Sequence, residues 1–402
     1  MVANSHIFPS FLKQQLILLL LLTLSLHVKQ VSADFDQVQA EDLINDILNN
    51  QTLYNHNIRP RGDNASATFV VVNLFLRNIG TIDDINMEYR VQITVRQEWK
   101  DFRLKFNYSE FITLPEDMSR LWTPDLFFMN ERSANLHLQM KPNVMIRVTP
   151  ETGTVLLSIR LSLTLACPMN LRYYPLDRQT CRIRMGSYSW PTKDLTFMWK
   201  RTNPIQLPAE QQLPRFTMKS NNYSTCDHVT TTGKYSCLLA TFTFQRELGY
   251  YMIQNFLPCG MIVMVSWISF WLGASTIDAR VSLGITTMLT MVAQIYGINQ
   301  AVPPVSYTKA LDIFTGTCLV FIVMAIIEVS IVGYNIQLYK YRQTLPLPFT
   351  QNMKNRPTMG GHLLTRSNQV DRVSRFLFPI SFLIFNIAYW YHYMFAERDA
   401  GY

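Results

Sequence analysis

Four cysteines in the first two thirds of the chain are spaced so that oxidation could close two short loops. Cys167 and Cys181 enclose residues 168–180, which have an apolar Pro-Leu-Asp centre, and Cys226 and Cys237 enclose a polar segment. Zinc is the competing chemistry for four thiols, but neither pair has the Cys-x-x-Cys spacing typical of zinc sites. We therefore predict two disulfides, which persist in an oxidising compartment, and no metal site.

The first 33 residues have the pattern of a secretory signal peptide. Lys13 precedes the apolar run 16–26, which is shorter than the roughly 20 residues that span a bilayer. Small residues at 31–33 offer a cleavage site before Asp34. A first transmembrane helix is the alternative.

Acceptor sequences for N-linked glycans occur only before residue 250. They are Asn50, Asn64, Asn107 and Asn222. Single Asn-x-Ser/Thr matches are common by chance, whereas a one-sided distribution indicates exposure to the secretory lumen. Residues 34–248 are therefore predicted to be an extracellular domain.

The extracellular segment alternates as β-strands do. Residues 87–99 alternate apolar with polar side chains, and Val70, Val72, Leu74 and Leu76 share one side of the preceding run. Residues 80–84 are predicted to form the turn between these strands, and residues 40–50 a short helix. Short strands with frequent turns are typical of a β-sandwich.

Four apolar segments follow within residues 249–402. They are predicted to span the membrane at about 251–272, 279–300, 307–334 and 376–395. An even number of spans returns the C-terminus to the extracellular side, so residues 335–375 form a cytoplasmic link. That link is basic, in agreement with the positive-inside rule, and its Pro, Gly and polar content predicts little fixed structure. Cys259 and Cys318, inside the apolar segments, are predicted to be free thiols.

The second apolar segment is too polar for a helix that faces only lipid. The residues that recur at helical spacing are Ser282, Thr286, Leu289, Ala293 and Tyr296. Polar groups at membrane depth face water or another helix, so a pore lining and a helix–helix seam both stay open. A pore would need several copies around an axis. Leu289 would then form an apolar collar that closes the pore by excluding water.

From about residue 68 to the end of the last span, the chain resembles the pentameric Cys-loop ligand-gated ion channels. The motifs that carry the resemblance are Trp122-x-Pro124-Asp125, the Cys167–Cys181 loop, the second cysteine pair, Trp267–Leu272 and residues 301–309. The chain looks most like the invertebrate glutamate-gated chloride channels, because the second cysteine pair is typical of the glycine- and glutamate-gated branch. Cation-selective members instead carry adjacent cysteines, which this sequence lacks.

The resemblance implies a β-sandwich on a four-helix membrane domain, assembled as a homo- or hetero-pentamer that binds agonist between neighbouring subunits. The positions that match agonist-binding residues are Arg77, Arg96 and Ser158 on the complementary face and Ser187, Tyr188, Thr232 and Tyr235 on the principal face. Guanidinium groups suit carboxylates and tyrosine rings suit an ammonium, as glutamate requires. The resemblance also implies a plasma-membrane, postsynaptic protein with both termini extracellular.

The resemblance further implies how the two domains communicate. Asp177 and Arg246 are expected to form an ion pair at the domain junction, and Lys309 is expected to lie in the facing linker after the pore helix. Agonist binding would bias a two-state pore through this junction.

The start of the pore helix departs from the family pattern. Anion-selective members usually carry Pro-Ala-Arg there, whereas this chain has Asp278, Ala279 and Arg280. Five Asp278 carboxylates at the cytoplasmic mouth would repel chloride and attract cations, with Arg280 close by offsetting their mutual repulsion. The alternative is that Asp278 turns from the axis and caps the helix.

These features favour a glutamate-gated chloride channel subunit. The alternatives are a channel gated by another small ligand or by protons, a cation-permeable channel, and an accessory subunit that functions only in hetero-oligomers. No enzyme, cofactor or nucleic-acid partner is predicted, because the histidines are scattered, no nucleophile motif or phosphate loop occurs, and the net charge of +8 is not gathered in one block. The expected partners are a small agonist, chloride, related subunits and membrane lipid.

Overall fold

A computed structural model provides the structure of the chain. It describes residues 19, 22–23, 38–50, 52–62, 66–114, 118–138, 140–208, 213–273, 276–344 and 358–395. Most of the predicted signal peptide, the Asn64 acceptor and the middle of the cytoplasmic link lie outside these residues.

The extracellular domain begins with a helix, α1, at residues 38–49. Thirteen strands follow among the residues that the structure describes. They are β1 Thr68–Asp83, β2 Glu88–Lys100, β3 Ile112–Leu114, β4 Leu126–Phe128, β5 Glu131–Leu136, β6 Val144–Thr149, β7 Thr154–Ala166, β8 Arg178–Pro191, β9 Leu195–Trp199, β10 Ile205–Gln206, β11 Phe216–Thr225, β12 His228–Thr230 and β13 Gly233–Arg246.

The strands form two sheets that enclose one apolar core. The larger sheet has the order β10-β1-β2-β7-β6-β3, with β9 beside β1 and β5 beside β7. The smaller sheet has the order β11-β13-β8-β4, with β12 beside β13. Strands β1, β2, β8 and β13 each bury alternate residues in this core, as expected when each sheet has one wet face. The predicted β-sandwich is confirmed.

The first hairpin turns later than predicted. The turn proposed at residues 80–84 is wrong, because β1 continues to Asp83 and the turn comes after it. The pairing of β1 with β2 shifts register between Ile79 and Ile82, so the glycine and threonine there form a bulge within the strand. Met87, with φ of 51°, ends the true turn.

Four helices long and apolar enough to cross a membrane follow the sandwich. They are α2 Gly249–Phe270, α3 Ile277–Gln300, α4 Ala310–Thr344 and α5 Thr358–Phe395. The predicted four-helix membrane domain is therefore confirmed, although α4 and α5 begin or end several residues from the predicted bounds. Helix α2 carries a π-helical turn at Met252–Phe256, just before Pro258.

The predicted cytoplasmic link holds more helix than expected. The expectation of little fixed structure is wrong for residues 335–344 and 358–375, which belong to α4 and α5. Hydropathy marks only the part of a helix that suits lipid, whereas backbone hydrogen bonds continue until a breaker is reached. Helix α4 ends two residues before Pro346, and α5 begins directly after Pro357.

Candidate functional site

The face of the larger sheet turned away from the core carries a cleft of 250 Å³, here called the arginine cleft. It is lined by Arg77, Thr94, Ser158 and Arg160 together with residues 143–145. Thr94 lies opposite Arg160 across the β2–β7 pair, and Arg77 Nε donates a hydrogen bond of 2.7 Å to Thr94 Oγ1. The cleft thus brings together two of the three predicted complementary-face residues, Arg77 and Ser158.

Arg96, the third predicted residue of this face, lies beside the cleft rather than in its lining. It is directly opposite Ser158, but its Nη1 donates to Asn73 Oδ1 at 3.0 Å and to Gln206 Oε1 at 2.8 Å. Its guanidinium carbon is 5.8 Å from the centre of the Phe75 ring. Neutral partners therefore hold Arg96 in place without cancelling its charge.

No carboxylate among the described residues forms an ion pair with Arg77, Arg96 or Arg160. Three guanidinium groups on neighbouring strands thus keep an uncompensated positive charge on one face of the sheet. Such a surface attracts an anionic ligand, and planar guanidinium donors match a carboxylate in geometry.

On the smaller sheet, Asp125 holds the segment that contains Ser187 and Tyr188. Its carboxylate accepts hydrogen bonds from Ser187 Oγ at 2.9 Å, from Tyr188 N at 3.1 Å and from Ser189 N at 2.6 Å. Ser187 is 2% exposed, and its Oγ also accepts from Trp190 N. The Ser187 hydroxyl therefore shapes this segment from inside instead of facing solvent.

Tyr188 stands out from the same segment with 76% of its surface exposed. Its ring meets Phe127 of β4 edge to face, with centroids 5.7 Å apart. Phe127 was not among the predicted site residues, although it follows Asp125 of the Trp-x-Pro-Asp motif by two positions. The two rings form an aromatic wall of the kind that attracts an ammonium group.

The second cysteine pair closes a hairpin at the edge of the smaller sheet. The structure bonds Cys226 to Cys237, with Cα atoms 4.7 Å apart. Within this loop the hydroxyls of Thr232 and Tyr235 are 2.9 Å apart, and the Tyr235 ring stacks on His228 with centroids 5.9 Å apart. Thr232 and Tyr235 thus form one polar and aromatic unit near the loop tip.

The two groups of predicted agonist residues do not meet within one chain. Arg77, Arg96 and Ser158 belong to the larger sheet, whereas the aromatic wall and the second cysteine loop belong to the smaller one. No hydrogen bond, ion pair or ring contact joins the two groups in the part of the chain that the structure describes. A complete site would need the two faces of two copies.

The predicted pore stripe is the open side of α3. Its residues Ser282, Thr286, Leu289, Ala293 and Tyr296 are all exposed, with Leu289 at 70%. The polar residues beside the stripe are used within the subunit. Thr287 is buried, and Gln294 Nε2 donates to the Gln254 carbonyl of α2 at 3.0 Å.

Asp278 belongs to the same exposed stripe, four residues before Ser282. The expectation that it caps the helix is wrong, because Thr276 occupies the cap position and Asp278 lies in the first turn. A carboxylate there is favoured by the helix dipole without being a cap. Its open position leaves it free to face a pore axis.

Arg280 does not offset the charge of Asp278, contrary to expectation. It is 1% exposed and donates to both carboxylate oxygens of Asp371 on α5, at 3.0 and 2.8 Å, and to the Leu272 carbonyl. Two residues along a helix are about 200° apart in direction. Arg280 therefore points into the helix bundle when Asp278 points out of it.

The junction between the domains contains a buried ion cluster of Arg246, Asp177 and Asp84, here called the junction cluster. Arg246 donates to Asp177 at 2.8 and 3.1 Å and to Asp84 at 2.7 and 3.0 Å. Its Nη1 also donates to the hydroxyl of Tyr251 on α2 at 3.2 Å. Burial alone would lower the pKa of Arg246, but the two carboxylates raise it above its usual range. Asp84 was not predicted, because its position suggested only a turn.

The Cys167–Cys181 loop, which the structure closes with a disulfide, docks on the start of α4. The N–H of Ala310 donates to the Arg172 carbonyl at 2.9 Å, and the N–H of Leu311 donates to the Tyr174 carbonyl at 3.1 Å. These bonds satisfy backbone donors at a helix start that have no partner inside the helix. The extracellular loop and the membrane helix therefore share backbone hydrogen bonds.

Lys309 lies in the linker that faces this loop, but its charge is directed to its own helix. Its Nζ is 3.3 Å from Asp312 Oδ2, and its side chain is largely buried. The linker meets the cysteine loop through Tyr307, whose hydroxyl accepts from the N–H of Leu171 at 2.9 Å.

Three of the four predicted glycan acceptors are described. Asn50, Asn107 and Asn222 are all exposed on the extracellular domain. Each side chain is therefore accessible to a transferase. Asn64 lies outside the described residues.

Comparison with known proteins shows which family this chain resembles in sequence. Residues 40–248 match the model of the neurotransmitter-gated ion-channel ligand binding domain, and residues 255–354 match that of the neurotransmitter-gated ion-channel transmembrane region. The chain is also 42% identical to a glutamate-gated chloride channel of Drosophila melanogaster. That alignment of 411 residues covers 86% of this chain and 90% of the relative.

Proposed function

This chain belongs to the neurotransmitter-gated ion channels, and we propose that it is a subunit of a channel opened by glutamate and selective for chloride. As a member of this family with four helices able to cross a bilayer, it is a multi-pass membrane channel protein and not an enzyme.

The observation that carries the agonist proposal is the uncompensated charge at the arginine cleft. Glutamate presents two carboxylates and one ammonium. Arg77 and Arg96, with the hydroxyl of Ser158, would hold the carboxylates, because charge-assisted bonds to guanidinium are strong and often bidentate. The rings of Tyr188 and Tyr235 on the neighbouring subunit would hold the ammonium. The similarity to the Drosophila channel supports the same agonist.

Assembly would complete both sites. The principal and complementary faces lie on different sheets, so a ring of subunits, homomeric or heteromeric, would form one agonist site at each contact. The same ring would turn the exposed stripe of α3 towards a central axis. Five copies of Leu289 would then form the apolar collar that closes the pore.

Agonist binding would reach the pore through the domain junction. Arg246, Asp177 and Asp84 connect β13, the cysteine loop and the first hairpin, and the cysteine loop bonds to the start of α4. A change in the sandwich would therefore move the linker after the pore helix, where Lys309 lies.

A cation-permeable channel is the second candidate, and one observation favours it. Asp278 is exposed on the pore stripe, and Arg280 is buried away from it. Five carboxylates at the cytoplasmic mouth would favour cations over chloride. Similarity to a chloride channel over most of the chain supports chloride selectivity instead.

The topology is part of the proposal. Residues 1–33 would be removed as a signal peptide, residues 34–248 would be extracellular and carry glycans at Asn50, Asn64, Asn107 and Asn222, and residues 335–375 would be cytoplasmic. Both ends of the mature chain would then lie outside the cell. The plasma membrane of a postsynaptic cell is the expected location.

Voltage-clamp recording from cells that express this chain alone tests the proposal. Glutamate is applied first, and external chloride is then replaced by a large impermeant anion. A glutamate current whose reversal potential follows chloride supports both parts. A current that follows sodium assigns selectivity to Asp278, and silence with proven surface expression points to another agonist or an obligate partner subunit.

A further inference from the structure

We propose that Arg160 is a third guanidinium for the carboxylates of the agonist, beside Arg77 and Arg96. The inference rests on the proposed glutamate function and names an additional residue that sets ligand specificity.

Its first support is position. Arg160 follows Ser158 by two residues on β7, so both side chains stand on the same face of the sheet. Arg160 lies directly opposite Thr94 of β2, and Thr94 accepts a hydrogen bond from Arg77. The lining of the arginine cleft includes Arg77, Ser158 and Arg160 together.

The second support is unused hydrogen-bonding capacity. The Nε of Arg160 is buried and has no hydrogen-bond partner within the described structure. Its Nη2 donates a long hydrogen bond of 3.3 Å to Gln92 Oε1. A buried donor without an acceptor is unfavourable, and a carboxylate in the cleft would supply the missing acceptor.

Arg160 and Arg96 differ in how firmly their side chains are held. Arg96 gives bonds of 3.0 and 2.8 Å to two amide oxygens and lies outside the lining of the cleft. Arg160 has the weaker internal bond and lies in the lining. Reorganising Arg160 towards a ligand would therefore cost less than reorganising Arg96.

The consequence is a preference for dicarboxylates. Three cations facing one ligand are better compensated by two carboxylates than by one. A ligand with a single carboxylate would leave one buried donor unmet, and sites built for such bonds discriminate strongly against ligands that lack the matching group.

The test compares Arg160→Gln and Arg160→Lys with wild type in cells expressing the chain alone, by voltage clamp, with surface labelling. Arg90→Gln is the matched control, because Arg90 is exposed on the same face of β2 but lines a different cleft. We expect Arg160→Gln to raise the glutamate EC50 at least about tenfold, with an unchanged maximal current. Arg160→Lys should restore part of the loss, because it keeps the charge but not the planar fork.

Ligands with one carboxylate separate contact from mere structure. γ-Aminobutyrate and 2-aminobutyrate each lack one of the carboxylates of glutamate, and each is applied as an agonist or as a competitor of glutamate. A contact predicts that Arg160→Gln weakens at least one of them much less than it weakens glutamate. A structural role would weaken all three equally.

Three results would overturn the proposal. The first is an EC50 for Arg160→Gln within twofold of that for Arg90→Gln. The second is an equal loss of potency for all three ligands in Arg160→Gln. The third is an Arg160→Lys channel that is well expressed but recovers none of the potency lost in Arg160→Gln. A wild-type channel that glutamate does not open, either alone or together with a related subunit, would reject the proposed function itself, before any variant is made, and this role of Arg160 with it.

Discussion

The arginine of the junction cluster and the arginines near the arginine cleft differ in how their charges are compensated. Arg246 of the junction cluster is fully buried and gives four hydrogen bonds to two carboxylates. Arg77, Arg96 and Arg160 lie on an open sheet face, and their described partners are hydroxyl and amide oxygens. The charge of Arg246 is therefore compensated within one chain, whereas the charges of the other three arginines are not.

This difference indicates which charges are compensated within the chain and which are available to a ligand. A buried charge must be paired to be tolerated, so the junction cluster can serve as a fixed mechanical link. A charged face that stays unpaired is available for a ligand that brings the missing carboxylates. The predicted pore stripe of α3 is open in the same sense, because its residues are exposed in the single chain.

The largest effect is expected from breaking the complete cluster. Arg246→Gln leaves Asp84 and Asp177 buried without their cation, which costs about 3–5 kcal/mol. We expect loss of surface expression, and a lower melting temperature for any protein that is purified in detergent. The raised pKa of Arg246 keeps it charged at neutral pH, so its contribution to stability is complete there and is lost as the pH rises through that raised pKa.

Arg215→Gln is the control for that experiment. Arg215 also approaches Asp84, at 3.8 Å, but its side chain is 48% exposed, so its loss should change stability by less than about 1 kcal/mol. The account of the junction cluster fails if Arg246→Gln reaches the surface and melts like wild type.

A smaller effect is expected from the carboxylate that supports the principal face. Asp125→Asn removes the charge that accepts bonds from Ser187 Oγ, Tyr188 N and Ser189 N. Bonds to a charged group contribute about 1.5–3 kcal/mol, so the EC50 for agonist should rise roughly tenfold or more. Concentration–response curves measure it. Glu88→Gln, which breaks a peripheral ion pair with Arg132, should leave the curve unchanged, and equal shifts for the two variants would reject the role of Asp125.

The apolar collar of Leu289 side chains in the membrane domain can be tested in the same way. Leu289→Thr places a hydroxyl where five apolar side chains would meet, and wetting of the closed pore should produce agonist-independent current and lower the EC50 roughly tenfold. The substitution Met288→Thr, about 100° around the helix, should have little effect. Normal closure of the Leu289→Thr channel would show that the collar lies elsewhere.

The finest test concerns the pore mouth, where only selectivity should change. Asp278→Asn removes five carboxylates without removing a cap, so we expect higher chloride permeability relative to sodium and an unaltered EC50. The reversal potential under a sodium chloride gradient gives the answer. An unchanged value would mean that the Asp278 side chain does not reach the ion path.

Pattern alone predicted the parts of the fold that repeat. Alternation located β1 and β2, and hydropathy located the four membrane helices, because both periods are properties of local geometry. The same patterns misplaced the first turn and the ends of α4 and α5. A bulge or a helix outside the lipid changes neither composition nor period, so the chain carries little signal for such boundaries.

The candidate site divides along similar lines. Resemblance predicted Arg77, Ser158 and Tyr188 as agonist-binding residues and paired Asp177 with Arg246, since these positions lie in recognisable motifs. The ion pair of Asp177 and Arg246 is confirmed. It missed Asp84, which is distant in sequence from Arg246, and Phe127, whose role depends on its contact with Tyr188. Arg280 was also expected to lie close to the Asp278 carboxylate, because the two residues are neighbours in the sequence.

The sequence by itself determined the order of the two domains, the four spans, the spacing of the cysteines and the polar stripe of α3. These follow from the composition and period of contiguous segments. Only the tertiary structure decided which charges are paired. Whether an arginine is neutralised, as Arg246 is, or left open, as Arg160 is, depends on strands and loops far apart in the chain. Electrostatic energy depends on distance and burial in space, and neither is written in the local sequence.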